Sequence, residues 1–253
     1  MMILCWILYF SILISVVYGN FARKIYGGER VSIFSYPYQV SIQIRNHHMC
    51  GGVIISENHV LSAASCVLAE ENVVYGNIQV LAGTHDITDY RNGLINQVSH
   101  VIYHELYNPR NNWINDIAIL KLQLPLIVMG GWRSAYVSSI APKSTYCHVT
   151  GWGKDPITNN LSRFLQRLKV RIISSSSCTK NHYKETNLSS KQHCFFPIPT
   201  SAGVSQGSGG SPVMYGRQIL GIISLDSLDV NQPAIFTRIF RYVNWIERMK
   251  RKI

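Results

Sequence analysis

Residues 206–212 read Gln206-Gly207-Ser208-Gly209-Gly210-Ser211-Pro212. Beyond them lies Ile219-Leu220-Gly221-Ile222-Ile223, a short apolar run of strand length, and before them lies a similar run, Lys169-Val170-Arg171-Ile172-Ile173. Further toward the amino terminus, Val40, Ile42 and Ile44 alternate with Ser41, Gln43 and Arg45, the period-two pattern of a half-buried strand. Ile117-Ala118-Ile119-Leu120-Lys121-Leu122 reads as another strand. Polar turn segments such as residues 108–112 and 155–160 separate these runs. Helical spacing is evident only at the carboxyl terminus, where Val243, Ile246, Met249 and Ile253 recur at three or four residues between Phe240 and Ile253. The pattern predicts an all-β chain closed by one α-helix, without internal repeats.

The chain has 253 residues, of which 47% are hydrophobic and 15% charged, a balance that suits a buried core and excludes disorder. Residues 2–18 form an apolar run ending near Gly19, with Val17 and Gly19 as the small residues of a cleavage site. This predicts a signal peptide over residues 1–19 and a secreted, extracellular protein. A membrane anchor is the competing reading. A run of about 17 residues is at the short end of a span, and no basic stop-transfer flank closes it, so no stable membrane span is expected.

Several segments, taken in chain order, resemble the chymotrypsin/trypsin family of serine proteases. They are Ile25-Tyr26-Gly27-Gly28, Cys50-Gly51-Gly52, Ala63-Ala64-Ser65-Cys66, Asn115-Asp116-Ile117-Ala118, Gly151-Trp152-Gly153, the loop around Gly209, Ser224, and Tyr242-Val243-Asn244-Trp245-Ile246. The resemblance covers residues 25–253, which it identifies as one peptidase S1-like domain. Residues 20–24 then stand as a short activation-peptide-like segment ending at Lys24. The implied fold is two six-stranded antiparallel β-barrels with a C-terminal α-helix and an active site in the cleft between the barrels.

The same resemblance exposes departures. Leu61-Ser62-Ala63-Ala64-Ser65-Cys66 is similar to the segment that presents the family's catalytic histidine, yet it carries Ser65. In the most direct register of the nucleophile loop, Gly209 stands where the serine is expected and Ser208 where an aspartate is expected. A second register remains open, in which Ser208 is the nucleophile and Ser211 an insertion. Asp116 keeps the context of the triad aspartate. Peptide hydrolysis of this type needs an imidazole to carry the proton from nucleophile to leaving amine, and either register leaves that base missing. The relic triad positions Ser65, Asp116 and Gly209 therefore predict an inactive homologue. An active endopeptidase with displaced residues is the alternative. A new ammonium at Ile25 would find Ser208 in place of its acidic partner, so cutting at Lys24 is expected to order little.

The specificity-pocket relics are Gly203, Ser224, Leu225 and Asp226, with a charged side chain replacing a glycine at Asp226. The resemblance pairs Cys50 with Cys66 and Cys178 with Cys194. It leaves Cys147 either as a buried free thiol or as an intermolecular half-cystine. Asn160-Leu161-Ser162 and Asn187-Leu188-Ser189 are glycosylation sequons. No metal-ligand spacing occurs, and no cofactor is implied.

The chain carries 24 Lys and Arg against 13 Asp and Glu, a net +11. Starting at Ile25 removes Arg23 and Lys24 and leaves +9. The cluster Arg248, Lys250, Arg251 and Lys252 reads either as a binding site for sulfated glycans or as a solvated helix end that complements the helix dipole. Nucleic acid is excluded by the expected compartment. The expected partners are extracellular proteins, among them active proteases or their substrates. The expected role is that of a non-catalytic adaptor, cofactor or decoy in an extracellular proteolytic or immune setting.

Overall fold

The computed structural model describes residues 27–126, 133–140, 144–155, 158–184, 186, 188–225 and 232–253. Residues 1–19, where a signal peptide is expected, residues 20–24, Ile25, Asp226 and Asn187 lie outside the described residues.

The first barrel closes through six strands: β2 (Gln39–Ile44), β3 (His47–Ser56), β4 (His59–Ser62), β9 (Ala118–Leu122), β8 (Leu94–Tyr103) and β7 (Ile78–Ala82). A short pair, β5 (Leu68–Glu70) with β6 (Val73–Val74), stands apart. The second barrel follows the order β12 (Gln166–Ile172), β11 (Tyr146–Gly151), β14 (Pro212–Tyr215), β15 (Gln218–Leu225), β16 (Ala234–Arg238) and β13 (Gln192–Ile198), and β13 pairs back onto β12. Two short strands add to it: β1 (Glu29–Arg30) against β12, and β10 (Tyr136–Val137) parallel to β15. All pairings that close the two barrels are antiparallel. The fold is therefore the expected pair of six-stranded barrels.

The β2 alternation holds on its apolar face, where Val40 and Ile42 are fully buried. The other face differs from the half-exposed strand that the pattern predicted, because Gln39, Ser41 and Gln43 are buried as well. On that face Gln39 reaches the second barrel, where Thr150 donates to its Oε1 at 2.7 Å, while Ser41 and Gln43 bond to His48 and Gln79 of the first barrel. Arg45 has left the strand: it and Asn46 take positive φ of 52° and 65°, the left-handed pair of a tight hairpin turn.

The C-terminal helix is shorter than the spacing suggested. It runs Val243–Lys250 after a 3₁₀ turn at Ile239–Arg241, and it buries Trp245, Ile246 and Met249. Both expected disulfides are present, Cys50–Cys66 and Cys178–Cys194. Cys147 is free and buried, and burial pushes its thiol up to about 12.

Candidate active site

Residues from both barrels converge on Asp116. Ser65 comes from a 3₁₀ turn, Ala64–Cys66, that follows β4 and is pinned by the Cys50–Cys66 bridge. Only Ile117 separates Asp116 from β9, the strand that pairs with β4, and Ser224 lies on β15 of the second barrel. The Asp116 carboxylate is fully buried. It accepts from Ser65 N at 2.8 Å, Ser65 Oγ at 2.9 Å and Ser224 Oγ at 2.6 Å. No cation pairs with it among the described residues. Burial raises its pKa to about 6 against the opposing pull of those hydrogen bonds, Ser224 first.

The backbone around Asp116 is held by residues whose role here the sequence did not indicate, although Asn115 and Tyr242 lie in motifs of the resemblance. Asn115 takes φ 59° and donates to Leu106 O at 2.7 Å, and its Oδ1 accepts from Tyr242 Oη at 2.9 Å and Lys191 Nζ at 3.1 Å. Thr237 Oγ1 donates to Asp116 O at 2.9 Å. The start of the C-terminal helix thus fixes the carboxylate's position. A single asparagine beside an aspartate does not announce this.

The glycine-serine loop packs against the same disulfide. Gly51 N donates to Gly209 O at 2.9 Å, and Gly210 N donates to Ile223 O at 2.8 Å. A Cβ at Gly209 would lie 3.5 Å from Cys66 Sγ and 3.6 Å from Cys50 Sγ, ordinary contacts that leave room for a side chain. Gly210 has φ +73°, and a Cβ there would collide with Ser62 Oγ and Gly51 O. Ser208 and Ser211 are fully buried. The Ser208 hydroxyl lies 3.4 Å from Ser205 N, which donates to it, whereas Ser211 Oγ has no partner. The N–H groups of Gly207 and Gly209 make no hydrogen bond among the described residues.

His48 approaches this loop, but it is locked. Its Nδ1 is 2.8 Å from Ser41 Oγ, and its Nε2 is 3.0 Å from both Trp152 O and Gly207 O. Two carbonyls at Nε2 require the proton there, so Nδ1 accepts from the Ser41 hydroxyl. Burial pushes this ring down to about 4 although the two carbonyl contacts oppose it. It is a neutral strut between the loop and the first barrel. His59 lies on β4 with Nδ1 on Ser56 Oγ at 2.7 Å, and His104 stacks on Trp245. His47 is exposed, its Nδ1 at 2.8 Å from Arg45 O.

Gly203 lies between Ala202 and Val204, both buried. Gly27 packs onto Ala202, so the start of the described chain rests against this segment. Leu225 ends β15. Asn160 is exposed, while the hydroxyl of its sequon partner Ser162 is buried and donates to Phe164 O at 2.8 Å.

A description of the trypsin family matches residues 25–246. Pig (Sus scrofa) trypsin is 32% identical over 233 residues, 89% of this chain and 95% of the relative. Trypsin-3 of Salmo salar is 34% identical, covering 88% and 91%. Human granzyme M is 27% identical, covering 91% of both. The solved structure of neuropsin, a serine protease of mouse brain, superposes with a TM-score of 0.78 at 24% identity, over 88% of this chain and 99% of that one.

Proposed function

The chain belongs to the trypsin-like serine protease family, and from that premise we propose that it is a secreted, non-catalytic member that works by binding other proteins. The observation that carries this reading is the state of Asp116: the carboxylate that would orient a catalytic imidazole receives two hydrogen bonds from Ser65 instead. A neutral hydroxyl is a very poor proton acceptor near neutral pH. His48, whose Nε2 is committed to two carbonyls, cannot take over.

We infer that Gly209 stands in the nucleophile's place, because its carbonyl is tied to Gly51 and its missing Cβ points at the Cys50–Cys66 bridge beside Ser65. Burial of Ser208 and Ser211 argues against either as a displaced nucleophile. In enzymes of this type, loss of a core triad member costs roughly 10⁶ in turnover. The two disulfides are consistent with an oxidising compartment and hence with secretion. What remains is a rigid framework with a surface to offer as adaptor, cofactor or decoy.

Incubating the purified chain starting at Ile25 with a fluorophosphonate probe tests this. No covalent label is expected, and labelling at Ser208 or Ser211 would identify a displaced nucleophile instead. Cross-linking the same material in extracellular fluid then identifies the protein partner.

A further inference from the structure

We propose that the surface where β16 turns into the C-terminal helix binds sulfated glycan chains through Arg238 and Arg241, two guanidinium groups held against the ring of Phe240. This inference uses the proposed secretion but not the loss of catalysis, since an active enzyme could carry the same surface.

Arg238 ends β16, and Phe240 and Arg241 belong to the 3₁₀ turn Ile239–Arg241, so all three side chains issue from four consecutive residues. The guanidinium carbons lie 4.7 Å and 5.1 Å from the centre of the same ring. Neither arginine forms an ion pair among the described residues. Arg238 is half-buried, and among the described residues its guanidinium donates only to Ser190 O, at 3.2 Å. Burial, and then the neighbouring Arg241 charge, lower its pKa. An anion beside the pair offsets both charges, and the guanidinium fork suits the oxygens of a sulfate.

The cluster read from the sequence is a weaker candidate once its contacts are known. Arg248 approaches Glu105 at 3.9 Å, Lys250 pairs with Glu247 at 3.2 Å, and Arg251 Nε donates to Glu247 O at 3.1 Å. Charge without a carboxylate partner among the described residues remains at the start of the helix, on Arg238 and Arg241, and at its far end, on Arg251 and Lys252. A linear chain with repeated anionic groups can meet the cations at both ends of the helix, which an isolated phosphate cannot do.

The test is chromatography of the chain starting at Ile25 on immobilised heparin, as a function of salt, for the native protein, R238Q/R241Q and the equal-charge control R45Q/R91Q. We expect R238Q/R241Q to lower the slope of log affinity against log salt by about two and the control to lower it by much less. Heparin should also raise the Tm of the native chain and not that of R238Q/R241Q, whose Tm without heparin is no lower than native. Equal losses in both double variants would reduce the effect to net charge and overturn the proposal. So would absence of retention, or loss of co-sedimentation with phosphatidylcholine–phosphatidylserine vesicles in R238Q/R241Q at unchanged heparin elution.

Discussion

At Asp116 a buried negative charge is met by hydroxyls and amides rather than by a cation. Its pKa is raised from 3.8 to about 6, so the folded state prefers the neutral acid. The penalty for ionising it on folding is absent below the unfolded pKa, grows as pH rises, and is complete above the folded value. It amounts to about 3 kcal/mol, from a shift of this size at about 1.4 kcal/mol per unit. Asp116→Asn removes it. Urea unfolding of native and D116N chains should therefore show the variant gaining relative stability between pH 4 and pH 7, by up to about 3 kcal/mol, while the Ser65 and Ser224 hydroxyls reorient to the amide. A constant difference across that range would contradict the buried ionised carboxylate. The sequence made Asp116 legible through its Asn-Asp-Ile-Ala context. It could not reveal Asn115 and Tyr242 as the groups holding it, because their contact spans a separation of 127 residues.

Among elements, the loop from Gly207 to Pro212 makes the sharpest prediction. Gly209 faces two sulfur atoms at ordinary contact distance, whereas Gly210 combines positive φ with backbone and hydroxyl neighbours that leave no room for a Cβ. Gly209→Ser should change stability by less than about 1 kcal/mol, within the range of a tolerated substitution. Gly210→Ala should cost more than about 2 kcal/mol, because strain and overpacking add. Denaturant titration of the two variants side by side checks the contrast, and equal costs would show that the loop is arranged differently. Strands were legible where an apolar face alternates, as in β2, or where a short apolar run continues, as in β9. The polar face of β2 misled because it is covered by Thr150 of the second barrel and by His48 and Gln79 of the first, and so has no solvent side. The helix reads longer in sequence than it is, since Phe240 and Ile253 extend its apolar spacing while Phe240 belongs to a 3₁₀ turn and Ile253 lies beyond the last helical residue, Lys250.

Over the whole molecule, four histidines, His48, His59, His148 and His193, are each pushed down to about 4, with burial the leading cause. A histidine kept neutral in the fold titrates near 6.5 when unfolded. Its contribution is complete above that pH and is lost as pH falls toward 4. These effects run against the Asp116 trend and outnumber it. The Tm measured by calorimetry should fall between pH 6.5 and pH 4, and a flat or rising Tm would contradict the buried neutral rings. The two-barrel architecture was legible from the ordered motifs, but the burial of these rings was not, because histidine spacing says nothing about which side of a barrel a ring faces. Nor did the count of basic residues reveal which ones lack a partner. For Arg248 that depends on Glu105, a carboxylate brought to the helix by the fold, whereas Glu247 and Lys250 pair within the helix itself.

Turnover of a peptide substrate by the homogeneous chain starting at Ile25, compared with its S208A variant, tests the central claim most directly. Both proteins should be indistinguishable from buffer. Hydrolysis by the native chain that disappears in S208A would contradict it.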